Sequence, residues 1–132
     1  MIIGIGVDLV KISRIEEALA RHGDKFAERI LAKKELLEFA GLKQKARFLA
    51  KRFAAKEAAA KAFGTGFRGG MEFTDIAVSH DSLSITHNEL GKPLLNFHGK
   101  AKELLANLNA TAHLSISDEI DAAIAFVIFE SA

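Results

Sequence analysis

The pattern of hydrophobic and polar positions divides the chain into an opening strand, a helical first half and a strand-rich second half. β-Branched residues in 2–10 are typical of a strand. Ser13 is predicted to cap the next helix, with Glu16 at the capping-box position, and Gly23 is predicted to end it. Further helices are predicted at 24–30, 33–40, 44–63 and 100–108, and further strands at 73–78, 83–86, 94–97, 112–117 and 122–129. Helices grouped early and hairpins late predict an α+β fold, with 1–132 as a single small domain whose helices pack on a mostly antiparallel sheet.

Composition places the chain among globular proteins. Its 132 residues allow one domain with a modest core, and 49% hydrophobic with 27% charged residues suits a soluble protein. The absence of cysteine excludes a disulfide framework and thiolate chemistry, and it fits a reducing compartment. The N-terminus lacks the basic leader of a signal peptide, and the apolar run 122–129 is too short to span a bilayer. We therefore predict a cytoplasmic protein that does not bind membranes.

Charge is balanced overall but uneven along the chain. The formal net charge of +1 gives no argument for nucleic acid as a partner. One short stretch is rich in basic residues, namely Lys43, Lys45, Arg47, Lys51, Arg52, Lys56 and Lys61. Such a surface could attract phosphates or an acidic partner. The commoner interpretation is the solvated side of a helix.

Glu57 interrupts the small-residue stripe of the longest predicted helix. At 100° per residue it falls in the middle of Ala46, Ala50, Phe53, Ala54 and Ala60. An unpaired buried carboxylate would cost several kcal/mol, so a cation or a strong donor should lie nearby. Lys61, one turn later, is the candidate. The alternative is a plain Glu57–Lys61 helix pair worth roughly 0.3–0.5 kcal/mol.

The opening strand carries a second unexpected carboxylate. Its alternation places Ile3, Ile5, Val7 and Leu9 on one face and Gly4, Gly6 and Asp8 on the other. Glycines in a strand usually mark the close approach of a ligand or another chain segment. Asp8 could simply begin a turn. If the strand packs beside the long helix, however, Asp8 and Glu57 bring two hard oxygen ligands together, and magnesium is then the expected ion.

Two further features are compatible with phosphate binding. His113, Ser115 and Ser117 share one face of a predicted strand, which also describes an ordinary exposed sheet face. The glycine-rich residues 64–66 and 69–70 could supply backbone N–H groups to a pyrophosphate. Because they follow a helix rather than open one, they form neither a P-loop nor a dinucleotide fingerprint.

Four segments together resemble a known family. They are GVDL at 6–9, RFLAKRFAAKEAAAKAFGTG at 47–66, GKP at 91–93 and HLSISD at 113–118. In this order they strongly resemble the bacterial holo-acyl-carrier-protein synthases, which are 4'-phosphopantetheinyl transferases. The resemblance implies that family's fold. It also implies transfer of 4'-phosphopantetheine from coenzyme A to a serine of apo-acyl carrier protein, which yields adenosine 3',5'-bisphosphate and supports fatty acid biosynthesis.

The resemblance also implies roles for individual residues. Asp8 and Glu57 would bind Mg²⁺ and act in catalysis together with Lys61, which would contact the phosphates. Coenzyme A would contact Arg47, Arg52, Phe53, Lys61, Gly64, Thr65, Gly66, Gly91, Lys92, Pro93 and His113. Arg14 and Arg21 would contact the acidic carrier protein. The family is typically a homotrimer with coenzyme A between neighbouring subunits.

Several alternatives stay open at this stage. The serine proton could go to Glu57, to Glu35 or to a magnesium-bound water. Residues 78–91 exceed the usual hairpin of the family, with extra material at 81–87, where the carrier-like motif Asp81-Ser82-Leu83 is interpreted as a turn. The rival functions are a non-catalytic module that binds phosphate or an acidic partner, and an enzyme that uses another nucleotide-like phosphate donor.

Overall fold

The computed structural model describes residues 1–67, 69–80 and 91–132, and within them two antiparallel sheets flank one long helix. The strands are β1 Ile2–Lys11, β2 Ile76–His80, β3 Pro93–Phe97, β4 Ala110–Asp118 and β5 Ala122–Ser131. The helices are α1 Ile12–His22, α2 Asp24–Ile30, α3 Lys33–Ala40, α4 Lys45–Phe63 and α5 Gly99–Leu108, with a 3₁₀ turn at Phe73–Asp75. One sheet has the strand order β1-β5-β4 and the other pairs β2 with β3. The predicted α+β class is confirmed.

Helix α4 lies directly on strand β1, and two glycines make this contact possible. A Cβ on Gly6 would overlap the Ala58 carbonyl oxygen and would lie 2.9 Å from the Ala62 nitrogen. A Cβ on Gly4 would lie 3.2 Å from the Ala62 carbonyl carbon. The close approach predicted for these glycines is therefore to the chain's own helix.

The core is built around α4, whose sheet-facing and flanking side chains are mostly methyl groups. Its fully buried alanines are Ala50, Ala54, Ala55, Ala58, Ala59 and Ala60. At the C-terminal end of the helix, Phe63 packs edge-on against Phe129 of β5 and Phe97 of β3, with ring centroids 4.7 and 6.0 Å away. These rings join the two sheets at one corner of the molecule.

The opposite side of the large sheet is apolar and exposed. This outer sheet face comprises Ile3, Ile5, Val7 and Leu9 of β1 with Ile124 and Phe126 of β5. The register pairs Val7 with Phe126, so that their side chains lie together, and both are at least 40% exposed. No element of the described part of the chain covers this face, which β4 extends with exposed His113 and Ser115.

The predicted cap of the first helix is wrong. Helix α1 begins at Ile12, so Ser13 lies inside its first turn, and the N-cap residue Lys11 makes no side-chain capping bond. Instead, the Ile12 N–H donates to the carbonyl of Asp121, 2.9 Å away in the β4–β5 turn. Because Lys11 rather than Ser13 is the N-cap residue, Glu16 does not stand at the capping-box position.

Other boundaries agree closely with the sequence pattern. Helices 24–30 and 33–40 and the end of α1 at Gly23 are confirmed, while the strand expected at 73–78 is a 3₁₀ turn followed by β2. The strand predicted at 83–86 and the Asp81-Ser82-Leu83 motif lie outside the described residues. No helix in the described ranges has the length and apolar character needed to cross a membrane.

We expect Gly6→Ala to destabilise the fold by about 1–3 kcal/mol or more, because the added methyl group meets backbone atoms that cannot move independently. Urea unfolding at one protein concentration measures the change. Gly41→Ala is the matched control, since Gly41 has a helical φ of −91° and its nearest contact would be 3.9 Å away. The control should shift stability by less than about 0.5 kcal/mol. If both variants unfolded at the same urea concentration, that result would contradict the close approach of α4 to Gly6.

Candidate active site

Asp8 and Lys61 meet where β1 passes the last turn of α4. Asp8 follows Gly6 on the inner face of the strand, and its side chain is only 15% exposed. The Lys61 ammonium donates to Asp8 Oδ1 at 3.1 Å and to the Val7 carbonyl at 3.1 Å. The lysine thus crosses from the helix to the strand and balances the shielded carboxylate.

Glu57 stands one turn before Lys61 and is half-buried. Burial raises the pKa of its carboxyl, the negative charge of Asp8 raises that pKa further, and Lys61 partly opposes both effects. Asp8 and Glu57 are therefore electrostatic neighbours, as the packing of strand on helix predicted. The ion-pair contact of Lys61, however, goes to Asp8, so the predicted Glu57–Lys61 helix pair is replaced by a strand–helix pair.

A cleft of about 280 Å³ opens beside Asp8, between β1, α1, α2 and α4. Arg14 contributes a positive charge to its wall, and Phe53 contributes an aromatic ring. The remaining lining is mostly apolar, consisting of Leu9, Val10, Ile15, Ala18 and Phe26. Phe53 stacks on Phe73 at a centroid distance of 5.4 Å, which connects this wall to the segment that follows α4.

The glycine-rich segment after α4 forms a helix C-terminus. Gly64 has φ +85° and its N–H bonds the Lys61 carbonyl, while Gly66, at φ +63°, bonds the Ala60 carbonyl. This left-handed ending satisfies carbonyls of the last turn and explains both glycines. Thr65 is exposed between them, and its hydroxyl donates to the Gly66 carbonyl at 3.3 Å.

The second glycine motif starts strand β3. Gly91 is buried, Lys92 is exposed, and Pro93 pairs with His80 in the β2–β3 ladder. Proline suits this first position because it donates no ladder hydrogen bond.

Arg47 lies near the opposite end of α4 from the carboxylates. It is ten residues before Glu57, or about 15 Å along the helix axis. Its guanidinium donates to Asp118 Oδ2 at 2.8 Å and to the carbonyls of Glu119 and Ile120. Arg47 therefore holds the β4–β5 turn in this chain.

Two cations of the basic stretch lie in the core. Lys56 is fully buried and Arg52 is 3% exposed. Both bind Glu35, from Lys56 Nζ to Oε1 at 2.6 Å and from Arg52 Nη1 to Oε2 at 3.1 Å. The burial of Arg52 argues against the direct contact with coenzyme A that the resemblance implied. The interpretation of the stretch as a solvated helix face is also wrong at these two positions.

Sequence reasoning missed this network, although a signal for it was present. Arg52 and Lys56 are four residues apart, so they lie on the same face of the helix. The residues around them are mostly alanines, which indicates that this face is buried in the protein. Glu35 is 1% exposed and also accepts the N–H groups of Ala32 and Val78. With its oxygens engaged and closed to solvent, Glu35 is unsuited to take a proton from a substrate.

His113 lies on the outer sheet face, opposite to the side that carries Asp8. Its Nε2 is 3.0 Å from Glu130 Oε1, and the ring is exposed. Ser115 and Ser117 share this surface. Within one chain, His113 does not join the Asp8, Glu57 and Lys61 group.

The paired carboxylates fit a magnesium site completed by a substrate. Among the described residues no group of three or more His, Asp or Glu side chains could hold a metal ion. Magnesium commonly takes only one or two carboxylates, with phosphate oxygens and water completing its shell. Burial raises the pKa of the Glu57 carboxyl and the charge of Asp8 raises it further, so a divalent cation held by the two carboxylates would stabilise their charged forms.

Comparisons with known proteins extend over nearly the whole chain. A family model described as the 4'-phosphopantetheinyl transferase superfamily matches residues 4–125. The holo-[acyl-carrier-protein] synthase of Vibrio campbellii is 52% identical over 131 residues, which cover 98% of each chain. The crystal structure of holo-[acyl-carrier-protein] synthase from Neisseria meningitidis superposes with TM-score 0.87 at 44% identity, covering 99% of this chain and 100% of that one. The synthase from Bacillus anthracis in complex with CoA (3',5'-ADP) gives TM-score 0.80 at 40% identity, covering 100% of this chain and 99% of that one.

In the metal-free protein, the pKa of Glu57 should change in opposite directions when Asp8 or Lys61 is replaced. Asp8→Asn should lower the pKa of Glu57 because it removes a neighbouring negative charge. Lys61→Met should raise the pKa of Glu57 because it removes the opposing positive charge. A pH titration of the glutamate side-chain carboxyl signals by ¹³C NMR measures both shifts, with Glu103→Gln as a distant control. Unchanged values in both variants would mean that the three groups are not neighbours.

Proposed function

This chain belongs to the 4'-phosphopantetheinyl transferase superfamily, and from that premise we propose how its own residues carry out the reaction. It is a holo-acyl-carrier-protein synthase: it transfers 4'-phosphopantetheine from coenzyme A to a serine of apo-acyl carrier protein. We propose that Asp8 and Glu57 hold Mg²⁺ and that Lys61 binds the phosphates. The observation that supports this most strongly is the meeting of two carboxylates and a lysine where β1 crosses α4.

The transfer reaction requires little covalent chemistry from the protein itself. The serine oxygen attacks the β-phosphorus of coenzyme A, the bond from that phosphorus to the bridging oxygen breaks, and adenosine 3',5'-bisphosphate leaves with the electron pair. When bound, magnesium would supply positive charge along the pyrophosphate. Lys61, whose side chain is 52% exposed, can reach an incoming phosphate while it remains beside Asp8. Such transfers depend mainly on positioning and electrostatic stabilisation.

The buried position of Glu35 narrows the choice of proton acceptor. Its carboxylate is bound by Lys56 and Arg52 inside the core, so it does not meet a serine of another protein. We therefore assign the serine proton to Glu57 or to a water molecule at the site.

The cleft beside Asp8 suggests where the two substrates lie. We assign coenzyme A to the side formed by Phe53, Gly64–Gly66 and Gly91–Pro93, in line with the family resemblance. We assign the acidic carrier protein to α1, where Arg14 lines the cleft and Arg21 is exposed in the last turn. Opposite charge would steer the carrier so that its serine approaches Asp8.

We further propose a homotrimer in which substrate sites lie between subunits. The outer sheet face supports this, because Ile5, Val7, Leu9 and Phe126 form a contiguous apolar surface that water disfavours. His113 adjoins that surface, so its contact with coenzyme A would be made across a subunit interface. Arg47 would join such a site only by sharing its guanidinium with the β4–β5 turn that it holds.

The proposal also covers the domain organisation, the cellular location and the metabolic role of the chain. We take residues 1–132 as one transferase domain, we place the reaction in the cytoplasm, and we assign it to the support of fatty acid biosynthesis. All three rest on the family to which the chain belongs.

The catalytic assignment is tested by incubating the protein with coenzyme A, Mg²⁺ and apo-acyl carrier protein and measuring the carrier's mass. We expect a gain of one phosphopantetheine, and none after chelation of the metal. Glu57→Gln should reduce the rate by at least about 10²-fold at an unchanged unfolding midpoint, because it removes one of two metal-binding charges. Glu103→Gln, at an exposed position of α5, should retain the full rate. Near-normal turnover by Glu57→Gln would refute the assigned role.

The subunit arrangement is tested separately. Phe126→Asp places a charge at the centre of the outer sheet face, and we expect it to shift the mass measured by light scattering from trimer to monomer. Leu37→Asp is the control, since Leu37 is 78% exposed on α3 and stands apart from that face. A Phe126→Asp protein that stays trimeric would show that the interface lies elsewhere.

A further inference from the structure

A buried ionic network joins four elements on a face of α4 different from the one that carries Glu57. The Lys56 ammonium donates to the Ile30 carbonyl at 2.5 Å, at the end of α2, and to Glu35 of α3 at 2.6 Å. Arg52, on the same face of α4, donates to Glu35 at 3.1 Å and to the Val78 carbonyl of β2 at 2.5 Å. Glu35 also accepts the Val78 N–H at 3.0 Å, so that both backbone groups of this β2 residue are bound.

Stability alone does not account for such a network. Removing charges from water costs several kcal/mol per ion, and buried ion pairs are often no more stabilising than apolar side chains of the same volume. An ion pair does, however, fix the relative orientation of the elements that it joins, because its hydrogen bonds form only at defined distances and angles.

Helix α4 depends on such directional contacts to fix its orientation. Much of its buried surface is formed by alanine methyl groups, which present shallow ridges, so the rotation of α4 about its own axis is set by its fewer large and charged side chains. Hydrophobic burial is itself non-directional. Gly4 and Gly6 set how near α4 lies to β1. The Lys61–Asp8 pair also orients the helix, but through a lysine that is 52% exposed, whereas the Lys56–Glu35 pair is fully buried.

We propose that Glu35 and Lys56 form a positioning pair that fixes the rotation of α4 and thereby directs Glu57 toward Asp8. Lys56 and Glu57 are consecutive, so anchoring one sets the direction of the other 100° around the helix. The inference rests on the proposed metal site. Its consequence is quantitative, because a displacement of about 1 Å at a reacting centre can lower a rate by on the order of 10²-fold.

The pair is tested by Mn²⁺ binding to the full chain without substrates, followed by electron paramagnetic resonance. We expect Lys56→Met to weaken Mn²⁺ binding by about tenfold or more, since groups that orient metal ligands typically contribute 10–100-fold to affinity. In the single variant Glu35 keeps Arg52 as its partner, and in the double variant Lys56→Met/Glu35→Gln Arg52 keeps Glu38 Oε2 at 3.4 Å and the Val78 carbonyl. The unfolding midpoint of both variants is measured first, so that Mn²⁺ affinity is compared between folded proteins. We expect the double variant to show the same loss of affinity.

Leu49→Ala is the matched control for loss of stability, because Leu49 is fully buried on α4 but lies outside the network. It should lower the unfolding midpoint and leave Mn²⁺ affinity within twofold of the unmodified chain. The inference is overturned if the double variant binds Mn²⁺ as the unmodified chain does, or if Leu49→Ala weakens binding equally.

Failure of the metal site itself gives a different result. Glu57→Gln should abolish Mn²⁺ binding if the site is correct. If that variant binds normally, the proposed site is wrong. If it fails to bind while Lys56→Met/Glu35→Gln binds normally, the site stands and only the positioning role is refuted.

Discussion

The contact between α4 and β1 is the constraint on which the other features depend. A helix can lie this close to a strand only when neither backbone carries bulky side chains at the contact, and here glycines face alanines. Ala58 and Ala62 supply the helix side, and Gly4 and Gly6 supply the strand side. The closeness brings Asp8, the next inward-facing residue of β1, within reach of Lys61. The small residues are thus as necessary to the chemistry as the charged ones.

Tight packing of small residues also decides where charge can be tolerated. Glu57 is half-buried near Asp8, and burial, followed by the negative charge of Asp8, raises the pKa of its carboxyl. Lys61, on the next turn of α4, partly opposes this rise in the pKa of Glu57. On another face of α4, Lys56 and Arg52 are buried more deeply, yet each is bound to Glu35 at close range. One helix therefore carries a fully satisfied ionic group and an incompletely satisfied one, and the incomplete one is the group that would gain from a cation.

The sequence predicted features governed by periodicity and missed those governed by distant partners. The meeting of Asp8 and Glu57 follows from alternation in β1 and the 100° step of α4, both of which are local. The Ser13 cap failed because the helix begins earlier, at Ile12, whose N–H is bound by the carbonyl of Asp121, more than a hundred residues later. Glu35 was considered only as a base, since its burial depends on four partners from three segments that no single period reveals.

The two faces of β1 explain why fold and chemistry are specified together. Because side chains alternate, a slip of one residue would turn Ile5 and Val7 toward α4, where even a Cβ has no room, and would turn Asp8 away from Lys61. The same slip would place glycines on the outer sheet face and remove the apolar surface that the proposed trimer needs. The register observed, with its irregularity between Ile2 and Gly4, is therefore the arrangement in which helix packing, carboxylate placement and the apolar outer face are all satisfied. A sequence change that weakens one of these functions by altering the alternation weakens the other two as well.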